Sequence, residues 1–233
     1  MAHLKRLVAP KTWPIKRKKM VFVTKQYPRA RAVYSIPLSI VLRDLLGVAQ
    51  KAREVSRILR ERNVLVNGKV RTDSKFPVVI FDVIDIPSIE KTYSLSLNNF
   101  GKLSVKEAHK PKHRLARIES KTIVKKGKTQ LNLFDGSNIL VEKDDFSVGE
   151  VLKLSIPANK VIGKISAKEG ADVFVIGGTH SGESARIKSL EFGKIPKEVV
   201  LENEAGEFRT RFKNIFVVGE KSSHEDLLAG ARR

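Results

Sequence analysis

The side chains of this chain best equipped for chemistry are cations that lack counter-charges. Lys5, Arg6, Lys11, Lys16, Arg17, Lys18, Lys19, Lys25, Arg29, Arg31 and Arg43 all precede Asp44, the first acidic residue. Such a run repels itself unless a polyanion neutralises it. Nucleic acid is the natural polyanion, because each phosphate met by Lys or Arg releases condensed counterions. His3, Trp13, Tyr27 and Tyr34 stand among these cations. Aromatic and guanidinium planes stack on splayed bases while Lys neutralises phosphate. Residues 1–128 hold 30 Lys and Arg against 9 Asp and Glu, and residues 129–233 hold 15 against 16, so the net +20 is a property of the first half.

Other chemistries fare worse. His109 and His113 have the i, i+4 spacing of a helical metal pair, but Pro111 lies between them, no third ligand is evident and the surrounding cations oppose a divalent ion. With zero Cys, a disulfide scaffold and thiolate-bound zinc are excluded. Gly177-Gly-Thr-His-Ser-Gly182-Glu-Ser184 has phosphate-loop spacing, yet Glu183 stands where that loop needs Lys, and Ala185–Leu190 reads as strand. Asp144-Asp145 sits in a polar turn and His180 lacks an evident partner, so neither makes a catalytic site. No enzyme, no cofactor and no metal are expected.

Four kinds of element must position the cations. Residues 1–35 are interrupted by Pro10, Pro14 and Pro28 and read as a basic arm, mobile until its partner orders it. From Ser35 the pattern turns helical, with Ser35 or Ser39 as cap, Leu38, Val41, Leu42 and Leu45 at helical spacing, and Gly47 as the stop. A second helix over about 49–62 buries Val55, Ile58 and Leu59 and presents Lys51, Arg53, Arg57, Arg60 and Arg62. Val64-Leu65-Val66-Asn67-Gly68-Lys69-Val70 predicts a type I′ hairpin, and Val79, Phe81 and Val83 alternate as a strand ending near Pro87. Residues 90–128 form a further basic block, in which Lys110, Lys112 and Arg114 are candidates for phosphate contact.

This helix–helix–hairpin–strand unit resembles the S-four RNA-binding module, through Lys51-Ala52-Arg53-Glu54-Val55, Val64–Lys69 and Asp82-Val83-Ile84. The resemblance implies that Arg53, Arg57 and Arg60 lie against RNA backbone, with Lys69 and Arg71 beside them.

The second half is a succession of short strands: Leu131/Leu133, Ile139/Val141, Val151–Ile156 and Val161–Ile165, then Asp172–Ile176, Ala185–Leu190, Glu198–Leu201, Glu207–Phe212 and Ile215–Val218. The last five suggest a small closed barrel. Gly182, in a turn between Ile176 and Ile187, resembles the glycine of a KOW motif, although Ser184-Ala185 stands where a second glycine is common.

The arm reads His3-Leu4-Lys5-Arg6-Leu7-x-Ala9-Pro10-x-x-Trp13-x-Ile15 and resembles the N-terminal signature of the archaeal and eukaryotic S-four-e family of small-subunit ribosomal proteins. Val8 departs from the small or polar residue usual there. Thr210-Arg211-x-x-Asn214-Ile215-Phe216-Val217-x-Gly219 also matches. The resemblance implies an α+β multidomain chain: arm 1–35, S-four-type module 36–90, mainly β domain 91–167, KOW domain 168–219 and polar tail 220–233. It implies a structural ribosomal component, with small-subunit rRNA and neighbouring ribosomal proteins as partners. The expected RNA contacts are His3, Lys5, Arg6, Lys11, Trp13, Lys16, Arg17, Lys18, Lys19, Arg43, Lys51, Arg53, Arg57, Arg60, Lys69, Arg71, Lys110, Lys112 and Arg114. No membrane, small-molecule substrate or homo-oligomer is expected: no apolar h-region follows the basic start, no run reaches the ~18–20 apolar residues that span a bilayer, and a cytoplasmic, ribosomal location follows. An RNA-modifying enzyme with an appended S-four module would need a catalytic site, and a KOW transcription factor would not need the arm.

Overall fold

The computed structural model describes residues 3–108, 111–124, 127–142, 145–190, 198–203 and 206–219. The chain divides into two compact units between Pro111 and Lys112. Helices are few and strands many.

The N-terminal unit starts with a ribbon in which β1 (Leu4–Lys5) pairs antiparallel with β2 (Phe22–Val23), and a 3-10 turn, Arg6–Val8, follows β1. Strand β3 (Ser35–Pro37) leads into a single α-turn, α1 (Leu38–Ile40), that widens into a π-turn over Val41–Leu45. Helix α2 (Ala52–Arg60) follows, then β4 (Leu65–Val66), β5 (Lys69–Val70), β6 (Pro77–Val79), β7 (Val83–Ile86), β8 (Lys91–Leu97) and β9 (Leu103–Glu107). Strands β3 and β6 pair with each other, and the rest form an antiparallel sheet in the order β5-β4-β7-β8-β9. Val55 and Leu59, one turn apart on α2, are fully buried and fasten the helix to a core containing Ile36, Leu42, Val66, Ile84 and Leu95.

Two expectations need correction here. Ser35 caps no helix: it is a buried strand residue opposite Val79, its hydroxyl donating to the Arg31 carbonyl, and the residue that precedes α1 is Pro37. The alternation Val79–Phe81–Val83 is two strands with a sharp turn between them. Buried Asp82 accepts from the Val79 N–H and from Asn67 Nδ2, both within 2.8 Å, while Asn67 Oδ1 accepts from the Val83 N–H. These bonds offset the strain of Phe81 at φ 70°. Strands β8 and β9 extend the sheet beyond residue 90. The hairpin at Asn67-Gly68 forms as expected, with φ of 51° and 71°.

The C-terminal unit holds two five-stranded antiparallel sheets. The first contains β10 (His113–Ile123), β11 (Thr129–Leu133), β12 (Asn138–Val141), β13 (Val151–Ser155) and β14 (Val161–Ile165), in the order β12-β11-β10-β13-β14. Ala116, Ile118, Leu131, Leu133, Leu152 and Leu154 form its core. The second contains β15 (Asp172–Val175), β16 (Ser184–Leu190), β17 (Glu198–Asn203), β18 (Gly206–Arg211) and β19 (Ile215–Gly219), in the order β18-β17-β16-β15-β19, and is barrel-like. Among the described residues no pairing joins β18 to β19; the 3-10 turn Phe212–Asn214 connects them.

Strand β10 lies in what the charge pattern presents as a basic surface block, and its cations explain why it is hard to see. Arg114 is buried and donates from Nη1 to Asp135 at 2.8 Å and from Nε to Asn159 at 3.2 Å. Arg117, also buried, donates from Nη1 to the carbonyls of Lys213 and Ile215 at 3.0 and 2.6 Å, and lies over the Phe134 ring. A buried charge is tolerated only when paired and hydrogen-bonded. Arg114→Ala is therefore expected to destabilise the protein by about 3–5 kcal/mol, because it strands the Asp135 charge, whereas Arg114→Met with Asp135→Leu loses far less. Urea unfolding of both variants checks this; equal losses would show that the charge pair is not the cause.

Candidate nucleic-acid interface

Helix α2 begins where Glu54 turns back to accept the N–H groups of Gln50 and Lys51, at 2.7 and 3.1 Å. Those bonds, Gln50 first, hold the Glu54 carboxylate below the ordinary glutamate range. The anchor is therefore present above that range and lost as pH falls through the depressed value. It fixes the first turn, and with it the direction in which the helix points its arginines. Arg53, Arg57 and Arg60 are all exposed and lie at i, i+4 and i+7, hence on one side. With Ala52, Ser56 and Glu61 they line an open groove of about 650 Å³. Arg57 Nε meets Glu61 at 3.2 Å, an exposed pair that is readily exchanged for a phosphate. Lys51 at the helix start is exposed too.

Beyond α2, Lys69 projects from the hairpin and is exposed. Arg71 is half-buried with its guanidinium 4.2 Å from the Phe76 ring centroid, and Arg29 approaches the same ring at 5.2 Å. Burial, then the neighbouring Arg29, push the Arg71 guanidinium below its ordinary value. Arg43 is engaged in a bidentate pair with Asp44, at 3.0 and 2.8 Å, and offers less to a phosphate than its position in the basic run suggests.

The arm is where structure and expectation part most sharply. Trp13 is 2% exposed, and its Nε1 donates to the carbonyls of Ala32 and Ser35 at 2.9 and 2.8 Å. The Leu103 N–H donates to the Thr12 carbonyl at 2.8 Å, tying the arm to β9. Arg6 is buried, donating to the carbonyls of Phe22 and Lys16; Arg17 donates to those of Arg6, Ala9 and Pro10. Trp13 is thus a core residue and no stacking platform, and Arg6 and Arg17 serve as internal braces. The arm is folded against its module, because one large apolar ring and two guanidiniums satisfy backbone groups that a proline-interrupted chain cannot pair by itself.

Of the arm residues expected to contact RNA, His3, Lys5, Lys11, Lys16, Lys18 and Lys19 are exposed. Lys112 is exposed, whereas Arg114 is enclosed as described. Lys110, His109, Asp144 and the tail 220–233 lie outside the described residues, so the His109–His113 pair has no geometry to report. Among the described residues no cluster of three or more His, Asp or Glu is arranged to hold a metal, and no helix is long and apolar enough to cross a membrane.

A second basic feature escaped the composition. The C-terminal sheet reads as charge-balanced, yet Arg209, Arg211 and Lys213 share a groove of about 410 Å³ with Gly178, Thr179, His180 and Asn214, opposed there by Glu198. The strand period of two in Arg209-Thr210-Arg211 was the signal available.

Comparison with known proteins returns three family models along the chain: the RS4NT domain over residues 2–28, the S4 domain over 37–84 and ribosomal family S4e over 89–161. The chain is 41% identical to the small ribosomal subunit protein eS4 of Archaeoglobus fulgidus across 97% of both chains. It is 42% identical to that of Methanosphaera stadtmanae, across 94% of this chain and 92% of the relative. The crystal structure of the 30S ribosomal protein S4e from Thermoplasma acidophilum superposes with a TM-score of 0.68 at 28% identity, covering 81% of this chain and 97% of the other.

Proposed function

The chain belongs to ribosomal family S4e, and from that premise we propose that it binds small-subunit rRNA through phosphate and shape contacts that support subunit assembly and translation. Its role is structural rather than enzymatic, as in the family. The observation that carries the reading is the exposed row Arg53–Arg57–Arg60 along an open groove on an S4 domain. Guanidiniums spaced along one helix side match successive phosphates of a backbone, and a groove this open selects shape more than base identity. Lys51 and Lys69 extend the positive face. Lys5, Lys11, Lys16, Lys18, Lys19 and Lys112 add exposed cations elsewhere. The partners are small-subunit rRNA and neighbouring ribosomal proteins, and the place of action is the ribosome.

Residues 168–219 fit a KOW domain, with Gly182 at φ 95° in the turn between β15 and β16. The division into a module over 36–90 and a β domain over 91–167 belongs to the same proposal. The test is sedimentation: full-length protein, tagged and expressed in a related archaeon, is expected to travel with small subunits on a sucrose gradient and to leave them at high salt. A protein found only in the soluble fraction at every salt concentration would refute the assignment.

A further inference from the structure

Burial of Trp13 leaves the arm's exposed apolar side chains unexplained. Leu7 and Val8 are each 71% exposed, Met20 62%, Val21 65% and Phe22 53%. The ribbon brings the two segments that carry them together: the Arg6 N–H donates to the Val21 carbonyl, and Lys5 stands opposite Phe22. Leu4 and Val23 form the other cross-strand pair and face inward, with Val23 buried, so Phe22 and Lys5 point outward. The Phe22 ring leans on His3, centroids 5.3 Å apart and planes tilted by 48°. Several large apolar side chains left exposed at one end of a ribbon mark a candidate interaction site.

The charge around the patch selects its occupant. Lys5, Lys16, Lys18 and Lys19 are all exposed, and no acidic residue occurs before Asp44. A protein partner matched to that rim alone would have to be acidic, whereas unpaired RNA presents both phosphates for the lysines and aromatic faces for Phe22. We infer that the tip of the β1–β2 ribbon docks unpaired rRNA bases, with Phe22 as the stacking platform, Leu7 and Val21 as flanking apolar contacts, and Lys5, Lys18 and Lys19 on the adjoining phosphates. This rests on the proposed rRNA-binding role and adds to it a contact of a different kind, since apolar stacking is insensitive to salt where phosphate contacts are not.

That difference supplies the experiment. Full-length protein is titrated with small-subunit rRNA transcribed in vitro, across a range of salt concentrations. Phe22→Ala is expected to weaken binding about tenfold at every salt concentration with the log–log slope unchanged, the loss typical of one stacked base. Phe22→Trp keeps the affinity, and Leu7→Ser weakens it independently of any change at the ribbon pair. Circular dichroism and melting temperatures confirm that the variants fold. Wild-type affinity in both Phe22→Ala and Leu7→Ser overturns the inference, while a steep wild-type salt slope in the same titration leaves the rRNA-binding role standing. A wild-type protein that does not bind the transcript overturns both. Binding to phosphatidylserine vesicles that is lost in Phe22→Ala, with rRNA affinity unchanged, assigns the patch to an anionic membrane instead and equally overturns it.

Discussion

Replacing Arg53, Arg57 and Arg60 together by Gln is expected to lower rRNA affinity about 50- to 150-fold at 0.15 M salt, on slopes of roughly 0.7 to 0.9 per neutralised phosphate and three phosphates lost. The log–log slope should fall by about 2 to 3 in the same measurement. The fold should hardly notice. All three side chains are exposed and none contributes to the core stripe of Val55 and Leu59. Among the described residues the pair that is lost, Arg57–Glu61, is a solvated i, i+4 contact of about 0.3–0.5 kcal/mol. Filter binding or fluorescence anisotropy over a salt series, beside a thermal melt, separates the two effects. A variant that melts early yet binds as before would make these arginines structural and would move the interface elsewhere on the chain.

The second large effect is on stability. Trp13→Ala is expected to cost about 3–5 kcal/mol, the usual range for emptying a buried aromatic site, and it also leaves the Ala32 and Ser35 carbonyls without their indole donor. Trp13 is the only Trp in the chain, so the protein reports on itself. Free wild-type protein should emit at short wavelength and resist aqueous quenchers, with little change on adding rRNA. A red-shifted, readily quenched emission before RNA is added would restore a mobile arm and contradict the packing of residues 3–35 against their module. Phe in place of Trp13 should recover part of the loss, since it fills much of the space but cannot donate.

Arm signature, charge asymmetry, α2 and the hairpin were legible because each is written in short-range chemistry. Helical spacing needs only a turn or two of sequence, as in Val55 and Leu59. Asn67-Gly68 needs only its own φ angles, and period-two alternation exposes the late strands one at a time. A family signature is likewise a local string. None of this depends on knowing what folds back on what.

The fate of each cation does depend on it, and there only the tertiary structure decides. Arg53 and Arg57 look no different in sequence from Arg114 and Arg117, yet the first two face solvent and the last two lie inside. What separates them is a partner far along the chain: Asp135 for Arg114, and for Arg117 the Ile215 carbonyl, 98 residues away. The same holds for the arm. Composition makes residues 1–35 look too polar to order, but Trp13 finds its carbonyls 19 and 22 residues on, and Arg6 and Arg17 brace the surrounding backbone. Burying a charge or an indole N–H is favourable only when a distant acceptor is already in place. The sequence by itself therefore determined the charge asymmetry and the modules it runs through; the fold determined which cations reach the surface, and exposed Phe22 where Trp13 had been expected.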